Sequence, residues 1–318
     1  MTVTASRRLD DEGRRLYTWT GRGQVEQFYS VTTILGQGIP KYLVPWASKI
    51  VAELAYSEVM AHGPNSRASA ITRRWARQGK ALVIAAREGG AKLDKVNLDD
   101  GRDMAHRYLK GEPERVRDAA ADRGSRVHEA GEDLVLKLAA HDAARLYAKG
   151  RPMPDWPLDI EGYMASFVAF LDAYRPRYLA TEATVYHRGQ AYAGTADAFL
   201  EVPIDGHWTP LCVDYKSGNR IYPETAVQCA AYARGEFLGG ADGVTEHPVP
   251  PVEGTAVLHL RTKGFTFRRL RYDEQVFRTF LYAREIFRWA IDISKTALGD
   301  PILPDAEDAL AASLEGVA

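Results

Sequence analysis

The sequence predicts an α/β (α+β) fold in which a central mixed β-sheet is flanked by helices and preceded by a largely helical N-terminal region. Two observations favour this class. Helix-like and strand-like segments follow one another in the order helices, strands, helix, strands, helix, which is typical of mixed domains. The strand-like segments between residues 179 and 218 are rich in β-branched and aromatic residues and are separated by Gly and Pro turns.

The N-terminal half is predicted to contain one hairpin followed by helices. The segment "YTWTGRGQVEQFYSVTTIL" is β-rich around a glycine turn and predicts a hairpin that ends in Ser30–Leu35. Helical patterns begin at Pro40, cover a basic stretch from about Arg67 to Arg87, and extend from Glu112 to Lys149. The segment "IEGYMASFVAFLDAYRPRY" predicts an amphipathic helix that its proline ends.

The C-terminal half is predicted to contain most of the sheet. The segments "LATEATVYHR", "AYAGTADAFLEV" and "WTPLCVDYKSG" predict three strands. A helix is expected in "PETAVQCAAYARGEFLGG", where Pro and Glu open it and glycines close it. The segment "GTAVLHLRTKGFTFRRLRY" predicts a hairpin that turns at Lys263–Gly264, and a final helix is expected from Asp273 to about Lys295. We therefore expect an N-terminal region over 1–111, a core over 112–298 and an acidic tail over 299–318.

Composition and charge exclude several classes of protein. The chain has 318 residues, 46% of them hydrophobic, and a formal net charge of −1, as in ordinary globular proteins and unlike strongly basic nucleic-acid binders. The N-terminus has no apolar core of a signal peptide, and no apolar run reaches the length of a membrane span. The two cysteines, Cys212 and Cys229, match no metal-binding spacing. These features predict a cytoplasmic protein without a membrane partner.

Two acids lie inside segments that otherwise predict buried strands. Asp197 is found in "GTADAFLEV" and Asp214 in "LCVDYKSG", with the turn-like "PIDGHWTP" between the two segments. A buried carboxylate is costly unless it is paired or binds a cation. Asp214 and Lys216 share one face of their strand, and pairing of the two strands would bring Asp197 to the same spot. Because carboxylate oxygens suit Mg²⁺ or Mn²⁺, the pattern indicates a divalent-metal site. The alternative is a salt bridge at the surface, which the apolar neighbours Leu211 and Val213 disfavour.

These motifs resemble those of the PD-(D/E)XK nucleases, and among them the RecB-like exonuclease branch. "GTADA" matches the Gly-x-x-Asp motif of that branch through Gly194 and Asp197, and "DYK" matches its Asp/Glu-x-Lys motif through Asp214 and Lys216. The resemblance implies a restriction-endonuclease-like core that covers roughly residues 120 to 295.

Two helical motifs extend the resemblance. "RGSRVHEAGEDL" matches the Gly-x-x-x-His-x-x-x-Glu signature through Gly124, His128 and Glu132, and "QCAAY" matches the Gln-x-x-x-Tyr motif through Gln228 and Tyr232. Each pattern is weak by itself, but all four occur in the expected order and on the expected elements. In the N-terminal region, "YSVTTIL" and "VPW" look like segments of phage-encoded members.

The resemblance implies a role for each matched residue. Asp197 and Asp214 would bind the metal, together with His128 and the backbone carbonyl of Tyr215. Lys216 would orient the attacking water and stabilise charge on the phosphate. The supporting or DNA-contacting residues would be Glu132, Gln228 and Tyr232.

The resemblance further implies the cofactor. We expect Mg²⁺ or Mn²⁺ and no iron–sulfur cluster, because the cluster-containing members of the branch use four cysteines and this chain has two.

Two basic segments are candidates for contacts with the phosphate backbone, which would give affinity without sequence preference. The predicted helix "ITRRWARQGKALVIAAR" places Arg73, Arg77 and Lys80 along one side, and an ordinary solvated face explains it equally well. The hairpin "RTKGFTFRRLR" holds five basic residues and no acid, and Arg268 and Arg269 are its main candidates.

The sequence therefore predicts a metal-dependent DNA exonuclease that acts in DNA recombination, repair or degradation, of phage or mobile-element type. Its partners would be DNA and a recombination or helicase protein, and its compartment would be the cytoplasm, that of the host if it is phage-encoded. An endonuclease with the same site is the alternative within the class. A DNA-binding recombination partner with a vestigial nuclease domain is the alternative outside it, disfavoured because both acids and the lysine are present.

Overall fold

A ten-stranded mixed β-sheet organises the part of the chain that the structure describes, residues 6–21, 23–39, 49–50, 112–139 and 154–302. The structure is a computed structural model. Helices cover both faces of the sheet, so the predicted mixed α/β class with a central mixed sheet is confirmed. The basic helix predicted from about Arg67 to Arg87 and most of the helical segment that begins at Pro40 lie outside the described residues.

The N-terminal strands are β1 (Ser6–Leu9), β2 (Arg15–Trp19) and β3 (Glu26–Ser30). They form an antiparallel meander at one edge of the sheet, and β3 then continues directly into helix α1 (Val31–Gly38). The predicted hairpin therefore exists, and a third strand precedes it.

The sequence-based expectation that the hairpin ends in Ser30–Leu35 is wrong in its last part. Ser30 ends β3 and caps α1, because its hydroxyl accepts the backbone N–H of Thr33 at 3.3 Å. Val31, Ile34 and Leu35 are all buried, which is the spacing of one helix face. The β-branched residues of "VTTI" favour a strand locally, but the N-cap and the packing of the apolar face decide for a helix.

The central part of the chain carries two helices and three long strands. Helix α2 spans Glu112–Ala139 and helix α3 spans Leu158–Tyr174, and the rest of the predicted 112–149 helix lies outside the described residues. The strands are β4 (Arg177–His187), β5 (Tyr192–Ile204) and β6 (His207–Lys216), which pair antiparallel in chain order. All three were predicted from their β-branched and aromatic residues.

The C-terminal part completes the sheet and covers it. Its elements are α4 (Glu224–Ala233), β7 (Phe237–Gly239), β8 (Glu246–His247), β9 (Gly254–Arg261), β10 (Gly264–Leu270) and α5 (Glu274–Ile291). The β9–β10 hairpin and the last helix were predicted, and a short 3₁₀ turn over Ile293–Thr296 follows α5. The "EFLGG" end of the predicted α4 segment instead forms β7.

Strand β5 has a gap in its pairing that matters for function. One of its edges pairs with β4. Along the opposite edge, β3 pairs in parallel with Tyr192 and Ala193, and β6 pairs antiparallel from Ala198 onward. Residues 194–197 therefore have a strand partner on one edge only. Beyond Val213, strand β6 is no longer paired with β5, while its parallel pairing with β9 along the other edge, which begins at Leu211, continues to Lys216.

Two apolar layers hold the helices against the sheet. Helices α2 and α3 pack on one face, where Phe167 and Leu171 of α3 are buried. Helices α1, α4 and α5 pack on the other, where Tyr192 and Phe280 are buried. Each face thus excludes water from the strands that carry the acids. Among the described residues, no helix has the combination of length and apolar character needed to cross a bilayer.

Candidate active site

A cavity of about 650 Å³ opens where β3 and β6 both leave β5. Eight of the ten residues that the sequence selected line this cavity. They are His128, Glu132, Asp197, Asp214, Tyr215, Lys216, Gln228 and Tyr232. Segments that are far apart in the sequence are thus brought to one place by the sheet and by the helices on its two faces.

The gap in the pairing of β5 positions Asp197. The N–H of Tyr215 on β6 donates a hydrogen bond of 2.6 Å to Oδ2 of Asp197, in the region where the β5–β6 ladder has already ended. A side-chain carboxylate thus satisfies a backbone donor that a regular ladder would pair with a carbonyl. This bond fixes one carboxylate oxygen and leaves the other facing helix α2.

Helix α2 presents His128 to the same point. Its Nδ1 lies 3.4 Å from Oδ1 of Asp197, and its Nε2 lies 3.0 Å from the carbonyl oxygen of Tyr215. Gly124, one turn earlier on the helix, lies close to Ser217 at the end of β6: a Cβ built on it would be 3.5 Å from the Ser217 hydroxyl. The imidazole, the carboxylate and the carbonyl that the resemblance assigns to the metal are therefore neighbours.

Glu182 of β4 joins this group, although the sequence reasoning did not select it. One ligand atom each from His128, Glu182 and Asp197 lie within 4.8 Å of one another, so the three residues could hold a metal ion. Glu182 has φ of 44°, a left-handed conformation that is uncommon for a residue with a side chain. Thr181 and Ala183 pair with Ala198 and Ala196, which places Glu182 opposite Asp197.

Charges within this group shift its pKa values strongly. Burial disfavours the charged imidazole, but the carboxylates of Asp197 and Glu182 outweigh burial and raise the pKa of His128 to about 9. For Asp197, burial raises the pKa, but His128 and Lys216 together lower it below its ordinary value. Without a metal, Asp197 is therefore an ionised carboxylate at neutral pH and His128 is an imidazolium, which would release its proton on binding a cation.

Asp214 belongs to a different set of contacts. Its carboxylate oxygens lie 2.8 and 2.6 Å from Nζ of Lys216, and Oδ1 also accepts a bond of 3.0 Å from Nε2 of Gln228. The strand alternation that the sequence predicted for Asp214 and Lys216 is thus observed. The groups that could hold a metal among the described residues do not include Asp214.

The electrostatics of Asp214 differ accordingly. Burial raises its pKa above the ordinary value, and the neighbouring Asp197 adds to this, while Lys216 opposes it. For Lys216, burial lowers the pKa, but Asp214 and Asp197 outweigh it and the net shift is upward. This partly buried lysine thus stays an ammonium because two acids lie close to it.

Helix α4 supports Asp214 through two polar residues. Gln228 donates from Nε2 to Asp214 and to the hydroxyl of Tyr232, the second bond measuring 3.3 Å. The two residues are one turn apart on one face of α4. Tyr232 in turn packs on Gly194, where a Cβ would lie 2.6 Å from Cε1 of the ring. The glycine of the "GTADA" motif is therefore required for close approach of the tyrosine.

The two arginines selected on the β9–β10 hairpin do not line the cavity. Both are exposed on β10. Arg268 pairs with Val257, which pairs with Asp214, whereas Arg269 pairs with Ala256 in the apolar layer beneath α2 and α3. Because paired residues in a sheet share a face, Arg268 lies on the sheet face of Asp214 and Arg269 on the opposite one.

Several other lining residues were missed by the sequence reasoning. They include Glu182 on β4, Arg15 and Tyr17 on β2, and Thr32 on α1. A signal for Glu182 was present: it is an acid inside the apolar strand "LATEATVYH", the same signal that selected Asp197 and Asp214. Nothing in the local pattern of Arg15 distinguishes it from its neighbour Arg14.

Comparisons with known proteins give no further identification. No protein-family model matches the chain, and the search of curated proteins found no match. The chemistry of the cavity is therefore the basis for a functional conclusion.

Proposed function

We propose that the chain is a metal-dependent DNA exonuclease with a RecB-like PD-(D/E)XK core, hydrolysing phosphodiester bonds in DNA recombination, repair or degradation. A single observation carries the proposal. Four short motifs, spread from Gly124 to Tyr232, resemble that branch in sequence, and residues of all four line one cavity. Chance resemblance of four separate patterns gives no reason for them to meet in space.

The donor set fits a divalent cation. His128, Glu182 and Asp197 supply one imidazole nitrogen and two carboxylates within 4.8 Å of one another, and the Tyr215 carbonyl lies beside His128. Carboxylates and carbonyls suit Mg²⁺ and Mn²⁺. When bound, such an ion would lower the pKa of a water molecule, polarise the phosphoryl oxygen and orient an in-line attack.

The other residues of the cavity would act on the substrate and on the geometry. Lys216 carries an ammonium into the cavity, and its charge would stabilise the negative charge that builds on the phosphoryl oxygens. Asp214 holds that ammonium in place, and Gln228 fixes one oxygen of Asp214. Tyr232 packs closely on Gly194, and its hydroxyl accepts a hydrogen bond from Gln228, which helps to position the Gln228 side chain. The preorganisation of Lys216 thus depends on helix α4.

Two alternatives use the same residues. An endonuclease would cut within a strand and needs no free end. A catalytically vestigial protein would bind DNA without hydrolysing it. The presence of Asp197, Asp214 and Lys216 together in one cavity favours a working site, because a vestigial site has no need to keep all three.

The deciding experiment is digestion of end-labelled linear and closed-circular DNA, single- and double-stranded, with Mg²⁺ or Mn²⁺. We expect release of labelled nucleotides from linear DNA, no cutting of circles, and complete inhibition by EDTA that added Mn²⁺ reverses. Cutting of circles would support the endonuclease. Binding of DNA without hydrolysis in either metal would support the vestigial protein.

A matched control excludes a contaminating nuclease. Lys216→Ala, purified by the same procedure, removes the ammonium but none of the proposed metal ligands. Activity that persists unchanged in this variant would come from another protein or from another site, and in either case would contradict the assignment.

A further inference from the structure

We propose that Arg15 holds a second phosphate of the substrate strand, next to the phosphate that is cleaved. This inference rests on the proposed function and extends it, because it assigns a nucleic-acid contact to the N-terminal hairpin. The ligand is a phosphodiester of the DNA backbone, recognised by its charge. Arg15 would be a substrate-positioning residue and not a catalytic one.

The N-terminal hairpin of β2 and β3, with the start of α1, contributes residues to the lining of the cavity. Arg15 and Tyr17 are two residues apart on β2 and share one face, and both line the cavity together with Thr32 at the start of α1. The hydroxyl of Tyr17 lies 3.3 Å from Oγ1 of Thr195. Thr195 belongs to the stretch of β5 that pairs on one edge only, two residues before Asp197.

The strand directions place Arg15 at the same end of the sheet as Asp197. Strand β2 runs antiparallel to β3, and β3 runs parallel to β5. A step from Tyr17 to Arg15 therefore goes in the same direction as a step from Thr195 to Asp197, and it covers about 6.6 Å at the usual rise of a strand. Arg15 thus lies beyond Tyr17 in the direction that leads from Thr195 to Asp197, and it is exposed.

The charge of Arg15 is available to a ligand. Lys216 is held by Asp214, and His128 lies beside Asp197. Among the residues that the structure describes, no carboxylate forms an ion pair with Arg15. The rest of the lining is rich in acids, so a cation without an acidic partner in the same cavity favours the entry of a polyanion. A guanidinium presents paired donors to phosphate oxygens.

The adjacent Arg14 shows the opposite situation and provides a matched control. Its guanidinium lies 2.6 Å from Asp10 and 2.8 Å from Glu12, and it lines a separate cavity with Tyr29 and Phe287. The same charge is therefore neutralised on Arg14 and directed into the active-site cavity on Arg15. Replacing either residue removes one positive charge from the same hairpin.

The test uses the full chain and a fluorescein-labelled single-stranded oligodeoxynucleotide, with binding measured in Ca²⁺ over a series of salt concentrations. For Arg15→Ala we expect the dissociation constant to rise on the order of tenfold and the salt slope to become shallower by about 0.7. Single-turnover cleavage at saturating DNA should keep its wild-type rate, so that KM rises while kcat does not. Arg15→Lys should recover much of the affinity, since it retains the charge.

The binding and cleavage results distinguish failure of the inference about Arg15 from failure of the proposed function. Wild-type binding for Arg15→Ala, with cleavage by the wild-type protein intact, overturns this inference and leaves the proposed function standing. Equal weakening in Arg14→Ala and Arg15→Ala overturns it too, because the effect would then belong to the hairpin as a whole. If the wild-type protein neither binds nor cleaves the probe, the proposed function fails first. Thermal unfolding checks that the variants are folded, and Arg15→Gln replaces Arg15→Ala if that variant is not.

Discussion

Asp197 and Asp214 are equivalent in the sequence and different in the structure. Both are single acids in apolar strands, and β5 and β6 bring them to one cavity. Asp197 faces His128 and Glu182, and its pKa is lowered. Asp214 faces Lys216 and Gln228, and its pKa is raised, chiefly by burial. The site thus has a half that could bind a cation and a half that holds an ammonium.

The difference follows from where the ladder between the two strands ends. Asp197 lies where β5 has lost its partner on one edge, so helix α2 can approach it from that side. Asp214 lies where β6 is still paired with β9 and covered by α4, and only 3% of its side chain is exposed. Asp197 and Asp214 thus acquire separate roles because different strands and helices lie beside them.

The largest effect is expected from neutralising Asp197. Asp197→Asn removes a central carboxylate of the cation-binding half, so hydrolysis should fall by roughly 10³-fold or more, because catalysis through the ion is lost as a whole. Mn²⁺ binding, measured by calorimetry, should disappear. The matched variant Asp214→Asn should still bind Mn²⁺, although its activity drops.

If both variants lose Mn²⁺ to the same degree, the two halves are one ligand set, as the resemblance by itself implies. If neither loses it, the ion does not bind here.

The next effect concerns the ammonium. Lys216→Ala should reduce single-turnover cleavage by on the order of 10²–10³-fold, since one charge that stabilises the transition state is removed. Binding of Mn²⁺ and of DNA in Ca²⁺ should stay near wild type, because the cation-binding half is intact. A loss of DNA affinity in proportion to the rate would instead make Lys216 a DNA-holding residue.

A smaller effect on Mn²⁺ binding is expected at Glu182, and substitutions there should also change the free energy of unfolding in a characteristic order. Glu182→Gln should weaken the binding of Mn²⁺ by at least about tenfold. Because φ of Glu182 is 44°, Glu182→Gly should be more stable than Glu182→Ala by about 1 kcal/mol, the reverse of the usual order within a strand. Chemical denaturation of the two variants measures this. The usual order would show that the left-handed conformation is not strained.

The smallest effect is expected on the β9–β10 hairpin, where the two arginines should now separate. Arg268 lies on the sheet face of Asp214. In Arg268→Ala, DNA binding should therefore weaken a few-fold, and the salt dependence of binding should become shallower by at most about 0.7–0.9. Arg269 lies on the opposite face, so Arg269→Ala should change neither the DNA affinity nor its salt dependence. Equal effects of both would indicate a DNA path along the edge strand, and no effect of either would leave both as solvated charges.

Local pattern was enough to predict the strands that carry the site. The β-branched and aromatic residues of "LATEATVYH" and "LCVDYKSG" predict strands, and both segments lie largely in strands of the sheet. Ser30–Leu35 shows the limit. Its β-branched residues favour a strand, but the Ser30 cap and the packing of Val31, Ile34 and Leu35 make it a helix.

The composition of the site was predictable only in part, for a physical reason. His128, Asp197 and Lys216 each belong to a short motif with a local spacing, so each could be recognised in the sequence by itself. Glu182 and Arg15 enter the cavity through strand pairings across long stretches of sequence, which a local pattern does not contain. The division of roles between Asp197 and Asp214 depends on where β6 leaves β5, and that too is a property of the whole sheet.

The short junction between β3 and β5 has a consequence for how the protein folds. In the part of the chain that the structure describes, two strand pairs, Tyr29 with Tyr192 and Ser30 with Ala193, join the N-terminal meander to β5. Contacts between residues so distant in sequence cost much chain entropy and return few hydrogen bonds, so they form slowly. We expect the meander to dock after the rest of the sheet has formed, and its amide protons at this junction to exchange with solvent before those of β5 and β6. The wall that carries Arg15 would then be the last part of the cavity to assemble and the first to open.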